Sequence, residues 1–125
     1  MQLEALRTID SRDTPSLAPD DRPIDLVHLA RMTLGDRGLE REVLQLFDRQ
    51  SAQLIARIRN AAPDGIAVIA HTMKGSARGI GAWRVARAAE AVELAAGTEI
   101  AAALERLAAT ADEARAVITD LLKAN

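Results

Sequence analysis

One histidine in this chain stands in company that suits covalent chemistry. His71 is followed by Lys74 one helical turn on, by Gly75 beside that lysine, and by Arg78 two turns on. The surrounding apolar residues Ile66, Ile69, Ala70, Met73, Ala77 and Ile80 recur at helical spacing and form a single stripe. Advancing by about 100° per residue, His71 falls about 140° from Ile66, with Lys74, Arg78 and Gly75 at about 80°, 120° and 180°. If the stripe is the core, an imidazole, two cations and a glycine point away from it. A glycine inside a helix costs about 0.5–1 kcal/mol relative to alanine, and an outward position has no packing reason for it. Close approach of another molecule to the backbone is the remaining physical reason. An imidazole that takes up a dianionic phosphoryl group is stabilised by a fixed cation one turn away. Free imidazole titrates near about 6.5, so near neutral pH it is a nucleophile without an activating base. This face of the helix carries no Asp or Glu placed to form a dyad, and no glycine-rich nucleotide loop occurs in the chain. The expectation is a phosphate acceptor that does not bind ATP, with His71 as acceptor, Lys74 steadying the phosphoryl group and Gly75 admitting its partner.

The elements that position these residues read as helices. The 125-residue chain suits one domain, with 49% hydrophobic and 27% charged residues but only 2% aromatic and no tyrosine. That composition is poor for pleated sheets and favours an all-α fold. Residues 1–22 hold Pro15 and Pro19 just ahead of Pro23 and read as a flexible N-terminal arm, with a helical turn at Leu3–Ile9. A short lid helix follows Pro23, with Gly35 as its left-handed cap. Asp36 then caps a long amphipathic helix to about Ala61, through Leu39, Val43, Leu44, Phe47, Leu54, Ile55 and Ile58. The His71 helix comes next and is broken at Gly79 and Gly81. A fourth helix from about Ala82 to Ala95 presents the small residues Ala82, Val85, Ala86, Ala89 and Val92. After Gly97, Thr98 caps a fifth helix through Leu107, Ala111, Ala114, Ile118 and Leu121. Connections of about two to four residues between long helices predict an up-down antiparallel four-helix bundle over residues 23–125, preceded by the lid helix.

Other functions are disfavoured by what the chain lacks. Its net charge is −2 and it has no cysteine, so thiol chemistry and thiolate metal sites are out. The two histidines have no metal-ligand spacing, and a nucleic-acid module would want a basic stripe and stacking aromatics. No apolar run reaches the length of a membrane span and no signal peptide is evident, so the sequence reads as cytoplasmic. The third helix has no second large apolar face, which predicts a monomer. His28 lacks a lysine at +3 and a glycine at +4 and reads as structural or solvent-exposed, and Trp83 reads as packing at the bundle end.

The run from His71 to Ala82 resembles the motif of histidine-containing phosphotransfer (HPt) domains: an apolar Met73 at +2, Lys74 at +3, Gly75 at +4, the small Ser76 at +5, and Gly81 at +10. The resemblance extends from Ile24 to about Leu122. It implies a phosphorelay intermediate without kinase or phosphatase activity of its own. Such a protein takes a phosphoryl group from the receiver-domain aspartate of a hybrid histidine kinase onto His71 and passes it to the receiver of a response regulator. It needs no cofactor, the Mg²⁺ belonging to the partner receiver domain. Ser76, Arg78, Arg84 and Arg87 are expected to contribute to receiver docking, Arg78 being a departure from the polar residue common at that place. The alternative is a helical adaptor that binds a signalling partner without covalent chemistry.

Overall fold

The computed structural model describes residues 22–124, which contain five helices: α1 Leu26–Met32, α2 Arg37–Arg59, α3 Pro63–Ile80, α4 Trp83–Leu94 and α5 Glu99–Lys123. The expected arm, with its turn at Leu3–Ile9, lies outside the described residues apart from Arg22. Helices α2 to α5 close into a ring, α2 packing on α3 and α5, and α4 on α3 and α5. With connections of two to four residues, neighbours in sequence run antiparallel. The fold is all-helical, as the composition predicts.

Each start and stop has a local cause. The Asp36 side chain accepts the Leu39 N–H at 3.0 Å, Glu40 lies in the first turn of α2, and Arg57 and Arg59 lie in its last turn, which matches the helix dipole at both ends. Pro63 opens α3, where a missing N–H costs nothing. Two caps differ from expectation. The left-handed residue that ends α1 is Leu34 (φ 54°), with Gly35 (φ 74°) one place beyond it. The N–H groups of Leu34 and Gly35 turn back to the carbonyls of Arg31 and Ala30, so the reversal falls on the leucine. Thr98 precedes α5 with already helical angles (φ −71°, ψ −12°), and its hydroxyl therefore makes no cap hydrogen bond.

The core is built of the predicted stripes. Leu44, Phe47, Leu54 and Ile58 of α2 meet Ile69, Ala70, Met73 and Ala77 of α3, Val85, Ala86, Ala89 and Val92 of α4, and Ala103, Leu107, Ala111, Ala114 and Ile118 of α5. Leu39, counted with that stripe, is exposed. Between helices the sides are tied by Arg115, whose Nε–H donates to Asp48 at 2.8 Å, and by Arg41, whose guanidinium donates to the Leu122 carbonyl at 2.9 Å.

The end of the His71 helix is finished by α1. Ala82 N–H returns to the Ala77 carbonyl at 2.8 Å and Gly81 N–H to Arg78, with Gly81 left-handed at φ 86°. The Gly79 carbonyl is closed by His28, whose Nε2–H donates to it at 3.1 Å. Asp25 adds three bonds: its N–H donates to the Gly81 carbonyl, while its carboxylate accepts the Trp83 indole N–H at 2.8 Å and the His28 N–H at 3.1 Å. These two donors, the indole foremost, hold the Asp25 carboxyl below its usual range. His28 and Trp83 also meet edge to face at 4.9 Å. His28 and Trp83 are thus structural, as expected.

A side chain at Gly81 would be strained twice, by the left-handed backbone and by a Cβ only 3.0 Å from the Asp25 carbonyl oxygen. Gly81→Ala is expected to lower stability by about 1–3 kcal/mol, read as a lower denaturation midpoint in urea.

Candidate functional site

The site lies where the middle of α3 faces the end of α4. His71 is on the outer side of α3 with 69% of its side chain exposed, as the helical wheel predicts. Gly75, one turn on, is exposed, and a Cβ placed there would meet nothing within 4 Å. The α3 backbone is therefore open to an approaching molecule beside the imidazole.

Sequence reasoning misplaced one component. No acidic residue of α3 accompanies His71, but α4 supplies one: Glu93 Oε2 lies 2.9 Å from His71 Nδ1. Lys74 does not stand free toward solvent. Its side chain is only 14% exposed, and its Nζ lies 2.6 Å from Glu93 Oε1 and 3.9 Å from Glu90 Oε2. Glu93 Oε1 is shielded from water and is held in an ion pair with Lys74. Arg78 Nη2 lies 3.7 Å from the same Glu90. One flank of the imidazole is thus an alternating row of carboxylates and cations linking α3 to α4. The Lys74 ammonium first, and the His71 ring second, hold the Glu93 carboxyl below its ordinary value.

A signal for Glu93 was present in the sequence. In an antiparallel hairpin, residues equally far from the turn face one another; His71 is ten residues before Gly81 and Glu93 eleven after Ala82. A wheel drawn on α3 alone has no neighbour in it.

The expected docking residues separate. Ser76 lies on the other flank of α3, toward α2, in a shallow depression with Val43, Leu46, Phe47, Gln50 and Ile80. Leu46 and Val68 are more than half exposed, so this flank is apolar where the opposite one is ionic. Arg78 and Arg87 share an open cleft with Trp83, Ala86 and Glu90 on the ionic side. Arg84 is set apart: it turns to α5 and pairs with Glu113 at 3.3 Å.

The lowered Glu93 carboxyl links the α3–α4 contact to pH. A carboxyl with a folded value below its unfolded one contributes stability fully above the unfolded value, near 4.3. That contribution disappears as pH falls through the folded value. Melting temperature measured from neutral pH down to pH 3 is expected to fall more steeply for the natural chain than for Glu93→Gln, which has no carboxyl to protonate there.

Among the described residues, no helix is long and apolar enough to cross a membrane. Comparison with curated proteins and with solved structures gives no match. A family model does match: the Hpt domain, over residues 42–124, which takes in α3, α4 and α5, the His71 site and most of α2. Hpt domains carry out histidine phosphotransfer in two-component phosphorelays and interact with receiver domains. An exposed imidazole on the second bundle helix, with Lys74 and Gly75 beside it and this match over most of the chain, make the protein a member of the Hpt domain family.

Proposed function

We propose that His71 is the phosphoryl acceptor of a phosphorelay. It takes the group from the receiver aspartate of a hybrid histidine kinase and passes it to the receiver of a response regulator. The observation that carries this reading is the exposed His71 beside the open backbone at Gly75, on a helix otherwise packed into the bundle. Nδ1 is engaged by Glu93, which leaves Nε2 as the ring nitrogen available to a partner. In the accepting step the Nε2 lone pair attacks phosphorus of the aspartyl phosphate. The P–O bond to the receiver carboxyl breaks, and the carboxylate leaves with the bonding pair. Donation runs the same step backwards on a second receiver. The receiver brings its own Mg²⁺, and the chain supplies the nucleophile, the surface and the fixed charges.

Docking uses both flanks of α3. The receiver approaches over Gly75, resting on the apolar side at Ser76, Leu46 and Val68, while Arg78 and Arg87 meet acidic groups at the rim. Arg84 takes no part. The Lys74 ammonium, close to the imidazole, adds positive potential where the phosphoryl group arrives.

Incubation with a phosphorylated receiver domain and Mg²⁺ tests the assignment. Acid-labile, alkali-stable label is expected on the natural chain and not on His71→Gln. Label on both would move the site. Binding of a receiver with no label on either would favour the adaptor instead. Gly75 separates stability from function. Gly75→Ala is expected to stabilise the fold in urea by about 0.5–1 kcal/mol, because the new methyl group meets nothing. Gly75→Leu is expected to fold and yet slow transfer by about tenfold or more, roughly 1.4 kcal/mol in the barrier.

A further inference from the structure

A groove runs between α1, the start of α2 and the end of α5, apart from the α3–α4 face that carries His71. Its volume is about 320 Å³, and its apolar lining comes from Leu26 and Leu29 of α1, Leu44 of α2, and Leu121 and Leu122 of α5. Leu29 and Leu44 are buried and form the floor, whereas Leu26 is exposed and Leu121 and Leu122 are half-buried. The polar lining is Arg37, Glu40 and Arg41 of α2. More apolar surface lies close by in the chain. Eight large hydrophobic side chains are exposed among the described residues, and five of them, Leu26, Val27, Met32, Leu34 and Leu39, fall between the first turn of α1 and the first turn of α2. Leu34 is 92% exposed on a left-handed backbone, a conformation that costs a leucine energy. Exposed apolar side chains gathered in one place mark a surface that something covers. All five precede residue 42, where the segment shared with the family begins, so this surface is particular to the chain.

We propose that residues 3–9 of the same chain dock in this groove through Leu3, Leu6 and Ile9, fastening α1 to the start of α2 and the end of α5. Pattern, tether and charge all favour this occupant. Leu3, Leu6 and Ile9 recur every third residue with Glu4 and Arg7 between them, and at about 100° per residue they lie within about 120° of one another. Residues 10–21 join that segment to Arg22, and twelve residues of unconstrained chain span about 20 Å on average. Leu26 is four residues beyond Arg22, at most about 14 Å away. The groove therefore lies within the ordinary span of the tether, where effective concentration is highest. Residues 1–21 hold five carboxylates and two guanidiniums, while the groove presents two guanidiniums and one carboxylate, so their net charges are opposite.

The groove belongs to α1, α2 and α5, and the inference is independent of any role for His71. It gives α1 a second attachment. Through Asp25 and His28 the short helix is hydrogen-bonded to Gly79, Gly81 and Trp83 at the α3–α4 turn. On its α2–α5 side it presents Leu26 and Leu29, and residues 3–9 would fasten it there.

The test uses the full chain. It has no cysteine, so Thr8→Cys carries a nitroxide at one known place, on the opposite side of a helical wheel from Leu6. In ¹H–¹⁵N spectra the amides of Leu26, Leu121 and Leu122 are expected to lose at least half of their intensity relative to the reduced label, while those of Val68 and Leu94 keep theirs. Adding Leu3→Asp and Leu6→Asp to the labelled chain should restore the groove signals. The same pair of substitutions should speed amide exchange at Leu29 and Thr33 by about threefold or more, while unshifted Val92 and Ile118 signals report an intact bundle. Groove signals at full intensity in the labelled chain, or exchange rates that ignore the substitutions, overturn the proposal. Loss of intensity at Leu46 and Val68 instead also overturns it, and would place residues 3–9 over the α3 face. A second copy as occupant is detected by mixing spin-labelled chain with ¹⁵N chain that carries no label; broadening of the groove amides in that mixture overturns the intramolecular assignment.

Discussion

Alanine sets the distance between α3 and α4. Ala70 and Ala77 on one helix and Ala86 and Ala89 on the other are buried, and side chains this small let two helix axes come toward the near end of the usual spacing of about 8–10 Å. The ionic row depends on that closeness. Glu93 and Glu90 are short enough, and the helices near enough, for one carboxylate to reach an imidazole and an ammonium of the neighbouring helix at once. Leucine along this seam would wedge the helices apart and leave His71 with a lysine but no carboxylate. A core of modest side chains is therefore also what gives the surface its chemistry.

The ionic row changes what the lysine at +3 means in this chain. A cation free in solvent is screened and loses much of its effect on a neighbouring anion. Lys74 is half of a fixed pair with Glu93, so it is held in place between the two helices and does not swing in solvent. The electrostatics of the site are those of an ordered network between two helices, with the imidazole as its most exposed member.

Most of the architecture was legible in the sequence because apolar residues recur at helical spacing in every long segment. The outward direction of His71 and Gly75 followed from the same arithmetic, as did the inward direction of Met73 and Ala77. Glu93 escaped because a wheel orders the residues of one helix and is blind to the next. The arginines escaped for a related reason: Arg78, Arg84 and Arg87 look alike as a basic cluster, yet Arg84 pairs with Glu113 of α5 while Arg78 and Arg87 share a cleft on the ionic side. The caps at Leu34 and Thr98 depended on backbone angles that side-chain preference only biases.

The clasp of α1 on the end of α3 bears on where the folding unit begins. The segment common to the family starts at residue 42, inside α2 and well after Asp25 and His28. A chain cut to that segment would keep His71, Lys74 and Glu93. It would lose the imidazole that closes the Gly79 carbonyl, the carboxylate that holds the Trp83 indole, and the first turn of α2. The segment matched by the family model and the segment joined by these contacts thus begin at different places in this protein. Residues ahead of the shared segment finish the very helix that bears His71.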